Sequence, residues 1–249
     1  MFSKTIMKQS IKNNYKIWLI ITAVTTFFLI LMFVAYDLRS TSGEGGGPSI
    51  TVQQMLVVSF YSMLGFVLPM IYNIFVGNKL ISSEVDSGVL SYTLNTPITR
   101  RKVVVTKALY LIISTTLMVV VVTLVGIIMN VVYSANLDNK VFLLLNLGLL
   151  LFSLAISGIV FLTSAYFNKA NNAMAVGAGI PILFFVLSLV SGLSDSFEFV
   201  KYFSLNTLFD TTNIVAGSGY VIPFIAMGVI AVFTYIVSIM VFEKKDLPI

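Results

Sequence analysis

The chain has 249 residues, of which 58% are hydrophobic and 10% charged, and its formal net charge is +5. A typical soluble domain carries about 25% charged residues, so this composition excludes an ordinary soluble domain and indicates one compact membrane domain. The chain has no cysteine and no histidine, which excludes disulfides, thiolate chemistry, and the commonest general base and metal ligand.

The amino-terminal segment, residues 1–16, is basic and precedes an apolar run over residues 17–36. Four lysines recur at every fourth position and form one stripe on a helix: Lys4, Lys8, Lys12 and Lys16. We predict an interface helix over residues 1–16 that lies on the inner leaflet, with contact to a partner protein as the alternative. The apolar run is longer than the roughly 7–15 residues of a signal peptide, so we expect it to stay uncleaved.

Five further apolar runs follow, at residues 55–78, 108–133, 141–167, 173–193 and 221–242. A helix rises about 1.5 Å per residue, so about 20 residues cross a hydrocarbon core of about 30 Å. Every run reaches that length and none contains Lys, Arg, Asp or Glu. The pattern predicts an all-α protein with six transmembrane helices. The uncharged runs disfavour an ion-coupled carrier or an intramembrane protease, and their polar residues, such as Asn73, Thr115 and Asn146, are expected to serve helix packing.

The segment between the second and third runs, residues 79–107, shows helical periodicity. Ile81, Val85, Val89 and Tyr92 fall on one face of a helix. Thr96 and Pro97 then predict the cap and first turn of a new helix. We therefore predict an amphipathic helix between two spans, which acts as a surface float, a lipid-binding segment or a lever that docks on a cytoplasmic partner.

The segment between the fifth and sixth runs, residues 194–220, is long and rich in aromatic residues, among them Phe197, Tyr202 and Phe209. Aromatic rings favour the headgroup region of a bilayer. We predict an interfacial or re-entrant pair of short helices there, and a folded loop that covers the helix ends is the alternative.

Basic residues are concentrated in alternate gaps between the runs. Of the 15 basic residues, only Arg39, Lys140 and Lys201 lie in the other gaps. The positive-inside rule therefore predicts that both termini are cytoplasmic. Membrane orientation explains these charges better than nucleic-acid binding does.

One motif in residues 79–107 supports a family assignment. Glu84, Gly88, Leu90, Leu94, Pro97, Thr99, Arg100 and Lys107 occur in this order. The order resembles the loop after the second span in permeases of the type-2 ABC exporter family. The chain differs at Val89, where the family usually has Thr.

The resemblance implies a half-transporter whose coupling segment contacts an ATPase. Two copies of this chain, or this chain and a sister permease, would pair above two copies of a separate ABC ATPase. The ATPase would bind ATP and Mg²⁺, since this chain has no Walker motif and is not expected to be an enzyme or to bind a cofactor or metal. The implied coupling residues are Glu84, Asp86, Gly88, Pro97, Arg100 and Arg101. For Arg100 and Arg101, a simple role as orientation signals remains the alternative.

The resemblance also implies a dimer contact through the first and fifth spans, where Gly177 and Gly179 would permit close approach. We predict a permease in a bacterial plasma membrane that exports a hydrophobic or amphipathic cargo. A membrane-active peptide is the first choice, as in phenol-soluble modulin and bacteriocin exporters, with an antibiotic or a lipid as alternatives. The alternative from another class is a non-transport sensor or scaffold subunit with six spans.

Overall fold

The computed structural model describes residues 2–41, 51–90, 98–191 and 204–245, and within these ranges it contains helices and turns but no β-strand. Among the described residues, six helical segments are long and apolar enough to cross a membrane. The first span is Lys4–Thr41, the third Arg100–Val132, the fourth Asn139–Tyr166, the fifth Ala170–Ser191 and the sixth Val221–Lys244. The second span joins α-helical Val52–Met55, π-helical Leu56–Leu64 and α-helical Gly65–Leu80. The predicted all-α protein with six spans is confirmed.

The six spans form a bundle with two distinct ends. We call one the basic end, which carries Lys4, the short helix Ser82–Asp86 and Lys244. The opposite end carries a turn over residues 133–138 and the two short elements Leu205–Leu208 and Thr211–Val215. The charge distribution predicts that the basic end faces the cytoplasm.

The fourth span is the centre of the bundle and packs against the second, third, fifth and sixth spans. Its most apolar stretch is 61% buried, against 17% for the fifth span. A Cβ atom added at Gly158 would lie 2.1 Å from Thr234 Oγ1, so the fourth and sixth spans approach as closely as they do because a glycine stands there.

Polar side chains inside the bundle join the spans by hydrogen bonds. Thr115 of the third span donates to Asn73 of the second (2.7 Å), and the Asn73 amide donates to the Ser153 carbonyl of the fourth (3.3 Å). The Asn146 amide of the fourth span donates to the Tyr61 hydroxyl at 2.8 Å. These contacts support the expectation that these residues serve packing.

The first span is one helix of 38 residues, with no break near residue 16. Its length of roughly 57 Å exceeds a hydrocarbon core of about 30 Å. At its start, the Ser3 N–H donates to Thr106 Oγ1 (3.1 Å), and the Trp18 indole donates to the Ser114 carbonyl (2.8 Å). The segment predicted as a separate interface helix therefore continues into the first span and packs along the third, with Lys4, Lys8, Lys12 and Lys16 exposed. Its contact with the inner leaflet stays a prediction.

The described part of the segment at residues 204–220 holds two short elements, a 3-10 turn (Leu205–Leu208) and a helix (Thr211–Val215). Asp210 caps the helix by accepting from the Thr212 and Asn213 N–H groups at 2.9 and 3.2 Å. Ile214 is buried against the bundle. Short helical elements were predicted here, although residues 194–203 of that prediction lie outside the described residues.

Candidate functional site

The loop at the basic end begins where the second span stops. The short helix Ser82–Asp86 follows Leu80 almost directly. Its C-cap is Ser87, and the next residue, Gly88, has a φ of +72°, the left-handed conformation that favours glycine. The Gly88 N–H donates to the Val85 carbonyl at 3.1 Å.

The predicted continuous apolar face through Ile81, Val85 and Val89 is wrong beyond Val85. Ile81 and Val85 are buried, but Val89 is 42% exposed and Leu90 is buried instead. The reason is the left-handed turn at Gly88, which rotates the following residues out of the helical register. Tyr92 lies outside the described residues.

The third span begins at Arg100, and its cap is Thr99, whose hydroxyl accepts from the Lys102 N–H at 3.4 Å. The predicted helix start, with Thr96 as its cap, is wrong by three residues, because Ile98 and Thr99 are not helical. Thr96 and Pro97 themselves lie outside the described residues.

A buried ion pair joins the short helix to the third span. Lys107 Nζ donates to the Leu80 carbonyl at 2.5 Å and to Glu84 Oε2. The side chains of Lys107 and Glu84 are 3% and 25% exposed, respectively. An ammonium group buried this deeply is stable only with such acceptors, since desolvation of an unpaired charge costs several kcal/mol. Lys107 therefore fixes both the end of the second span and the short helix.

A hydroxyl network attaches the same short helix to the fourth span. The Ser82 N–H donates to Ser164 Oγ at 3.0 Å, and Ser164 Oγ donates to the Asn78 carbonyl at 3.1 Å. Ser82 Oγ donates to the Asn78 carbonyl and to Asn78 Oδ1, at 2.8 and 2.7 Å. Both serines are fully buried.

Asp86 attaches the short helix to the fifth span. Its carboxylate accepts from the Ala170 N–H at 3.1 Å, at the first residue of that span. A carboxylate is favourable at a helix N-terminus because the N–H groups there lack partners and the helix dipole is positive. The short helix is thus held by the third, fourth and fifth spans together.

The two arginines at the start of the third span contact the end of the sixth span. Arg100 donates to the Lys245 carbonyl at 2.8 Å, and Arg101 forms an ion pair with Glu243 at 3.3 Å. Lys245 Nζ in turn donates to the carbonyls of Ala165 and Phe167, at 3.0 and 2.7 Å. Burial lowers the pKa of Lys245 to about 8. These contacts tie the ends of the third, fourth and sixth spans together.

Glu84, Asp86, Gly88, Arg100 and Arg101 belong to one segment of the sequence, and the structure gathers all of them at the basic end. The motif already included Lys107, but its pairing with Glu84 was not predicted, and neither was the role of Lys245. The sequence contains a signal for this ion pair, because Glu84 and Lys107 carry opposite charges and lie just after the second and just before the third apolar run.

The two glycines predicted at the dimer contact face different ways. A Cβ atom added at Gly177 would lie 2.6 Å from Thr163 Oγ1, so this glycine permits close packing against the fourth span of the same chain. A Cβ atom at Gly179 would meet nothing within 4 Å, and Gly179 is exposed. Of the two, Gly179 is the one available to another molecule.

The six spans and the braced short helix define a multi-pass membrane protein with a structured element at one end of its bundle. A family model described as ABC-2 family transporter protein matches residues 5–247, nearly the whole chain. The chain therefore belongs to the ABC-2 transporter family, and it is a transmembrane subunit of an ABC transporter that works with an ABC ATPase subunit. A search of curated proteins finds no match.

Proposed function

We propose that this chain is the permease of an ATP-driven exporter in a bacterial plasma membrane, with a hydrophobic or amphipathic peptide as its cargo. The observation that carries the proposal is the short helix Ser82–Asp86, which is attached to three spans by Lys107, Ser164 and the Ala170 N–H. A force applied to this helix by an ATPase would reach all three spans, because each contact is direct.

ATPase contact is assigned to the accessible side of the basic end. Asp86, Ser87, Gly88 and Val89 are exposed and lie at the tip of the loop. Glu84 holds the short helix that carries this tip, through Lys107, whereas Arg100 and Arg101 hold the end of the sixth span, so we assign all three a supporting role. Two copies of the ATPase, each with ATP and Mg²⁺, would dock beneath two permeases. Both termini of the permease would then be cytoplasmic.

An apolar or amphipathic cargo suits the composition of the spans. The apolar runs carry no charged residue between residues 108 and 133, 141 and 167, or 173 and 193. Such surfaces offer no ion pair to a charged solute and accommodate apolar side chains. A membrane-active peptide combines apolar side chains with hydrogen-bonding groups, which is why we prefer it to an antibiotic or a lipid.

Pairing with a second copy would cover the fifth span. Its exposed face combines Gly179 with large apolar side chains: Val176, Ile182, Leu183, Val186 and Leu189. This span is the least buried of the six candidate spans. A small residue between large apolar ones permits close contact between helices in a bilayer.

Transport by the purified complex tests the proposed function. The permease and its ATPase are reconstituted in liposomes with the ATPase outside, and uptake of a fluorescent amphipathic helical peptide is measured with ATP or with ADP. We expect uptake with ATP alone, and none with an ATPase that cannot hydrolyse ATP. Uptake of a lipid or an antibiotic in place of the peptide would correct the cargo. ATP hydrolysis without transport of any of the three would contradict the exporter and favour a sensor or scaffold.

A charge-reversing substitution tests the proposed coupling role of the loop tip. Asp86→Lys places a cation at the fifth span's N-terminus and at the ATPase surface, and we expect reduced ATPase binding in a pull-down. Lys140→Glu reverses a charge at the opposite end and serves as the matched control. Equal ATPase binding by wild type and Asp86→Lys would contradict the assignment.

A further inference from the structure

A cavity of about 200 Å³ lies at the opposite end of the bundle. It is partly open and is lined by the second, fourth and fifth spans and by the two short elements of residues 204–215. Half of its lining residues are aromatic, Tyr61, Phe66, Phe152, Phe185 and Phe209, and most of the others are polar, Ser62, Ser188, Asn206 and Thr211. A cavity of about 150 Å³ accommodates benzene, so this one has room for a single apolar side chain and its adjoining backbone.

The aromatic walls contact one another. The Phe66 ring lies 5.5 Å from that of Phe152 and 5.4 Å from that of Phe185, between centroids. Phe209 lies 6.3 Å from both Tyr61 and Phe152. Rings in tilted or edge-on contact stabilise one another, and this packing keeps the cavity open in a defined shape.

The backbone beside the cavity is specialised. Residues Leu56–Leu64 form a π-helix, in which Ser62 Oγ donates to the Val57 carbonyl at 2.8 Å and the Gly65 N–H donates to the Phe60 carbonyl. Single π-helical segments occur often at functional sites, because the extra residue turns side chains toward a new direction. Tyr61 and Ser62 of this segment line the cavity.

Asn206, which also lines the cavity, has an unsatisfied side chain. Its amide nitrogen and oxygen are both shielded from solvent, and neither has a hydrogen-bond partner among the described residues. Its backbone groups are satisfied, since the N–H donates to Ser204 Oγ (3.2 Å) and the carbonyl accepts from the Phe209 N–H (3.1 Å). A buried amide without partners is costly, and it points to a ligand that supplies both an acceptor and a donor.

We propose that this cavity binds one extended residue of an apolar peptide. This proposal rests on the proposed function and specifies which part of the peptide cargo the permease recognises. In an extended chain the N–H and C=O of one residue point to the same side, where they can pair with a facing backbone or amide. The Asn206 amide atoms are shielded in this structure, so its side chain turns toward the bound residue, whose N–H then donates to Asn206 Oδ1 and whose carbonyl accepts from Asn206 Nδ2. Its side chain lies among the aromatic rings.

Binding to the purified permease without its ATPase tests the site. The probe is N-acetyl-4-fluoro-L-phenylalaninamide, a single aromatic residue with its own N–H and C=O, capped by an acetyl group and a terminal carboxamide, and binding is followed by fluorine NMR. We expect saturable binding to wild type and about tenfold weaker binding to Asn206→Leu, since the two hydrogen bonds are lost. Asn171→Leu makes the same change at the basic end and should bind as wild type does.

Unfolding temperature separates a binding role from a structural one. Without the probe, Asn206→Leu should unfold at the same temperature as wild type or higher, because an unpaired buried amide is replaced by an apolar group. Loss of both binding and stability in Asn206→Leu would make Asn206 structural and overturn the proposal. Equal binding by wild type and Asn206→Leu would overturn it as well.

A photoreactive probe gives an answer on wild type alone, should Asn206→Leu fail to fold. N-acetyl-L-photoleucinamide, an aliphatic analogue with a diazirine, should crosslink within residues 61–66, 185–189 or 206–211. Crosslinks found only elsewhere would overturn the site. Binding here without ATP-driven peptide transport would leave the site standing and contradict the proposed function. Transport without binding here would overturn the site and leave the proposed function standing.

Discussion

At the scale of single residues, Lys107 and Glu84 form the least hydrated ion pair among the described residues, but the two partners are not equally buried. The Lys107 side chain is 3% exposed and that of Glu84 is 25% exposed. Loss of Glu84 leaves a deeply buried cation with one carbonyl acceptor. Loss of Lys107 leaves a carboxylate that water can still reach. The two single substitutions should therefore differ in their effect on stability.

We predict that Glu84→Gln destabilises the permease by about 3 kcal/mol, as expected for a buried charge that loses its partner, and that Lys107→Met costs less. The double variant should be more stable than Glu84→Gln, because no buried charge remains unpaired. Thermal unfolding of the four proteins in one detergent measures this order. Equal losses that add in the double variant would show that the pair is not coupled.

Lys245 gives a second prediction at this scale. Burial lowers its pKa to about 8, whereas an unperturbed lysine titrates near 10.4. Between about pH 8 and 10.4 the unfolded chain binds more protons at this residue than the folded chain, so its contribution to stability rises with pH. Unfolding temperatures of wild type and Lys245→Met across this range should diverge in favour of wild type. Parallel profiles would contradict the lowered pKa.

At the scale of elements, the short helix Ser82–Asp86 depends on a single backbone conformation at its end. Gly88 has a φ of +72°, and a Cβ atom added there would meet nothing within 4 Å. A substitution at this position is therefore opposed by backbone strain and not by a clash. The strain of an L-residue in this region is roughly 1–2 kcal/mol, and asparagine tolerates the region better than most residues.

We predict that Gly88→Ala lowers the stability of the permease by about 1 kcal/mol and that Gly88→Asn lowers it less. Gly228→Ala is the matched control, because its Cβ would make only an ordinary contact, 4.0 Å from Leu151. Thermal unfolding ranks the three variants. A Gly88→Ala protein as stable as the control would mean that the loop adopts another backbone conformation at this residue.

At the scale of the whole molecule, burial is unequal among the spans. The fourth span is largely enclosed, whereas the fifth presents most of its apolar surface outward. Gly177 packs within the chain, and Gly179 stands on the outward face beside large apolar side chains. In the half-transporter that we propose, the outward face of the fifth span would meet a second permease.

We predict that the solubilised complex contains two copies of this chain and two ATPases. A mass determination corrected for bound detergent, with the ATPase co-expressed, measures the copy number. Gly179→Leu adds a bulky side chain to the outward face and should weaken the pairing, whereas Gly228→Leu on the sixth span should not. One copy paired with a different permease would replace the homodimer by a heterodimer, and one copy without a second permease would contradict the prediction.

The six spans and the all-α class could be predicted from the sequence without a structure. Length and apolarity are local properties, and a bilayer imposes the same requirement on every span, so no tertiary contact was needed to recognise them. The order of residues from Glu84 to Lys107 also indicated the family. Even so, the apolar periodicity from Ile81 onward predicted the wrong buried face after Val85. Periodicity assumes an uninterrupted helix, and the left-handed conformation of Gly88 interrupts it.

The pairing of polar groups could not be predicted in this way, because it depends on the packing of the spans. Lys107 and Glu84 are 23 residues apart, and Ser82 and Ser164 are 82 residues apart, so their contacts depend on how whole spans pack. The same holds for Gly177 and Gly179. They lie two residues apart on one helix, yet Gly177 packs against Thr163 and Gly179 faces outward. Asn206 is unremarkable in the sequence, and its buried, unpaired amide exists only because the 3-10 turn packs against the bundle. Contacts between distant residues are set by the packing of the spans, whose geometry no local pattern records.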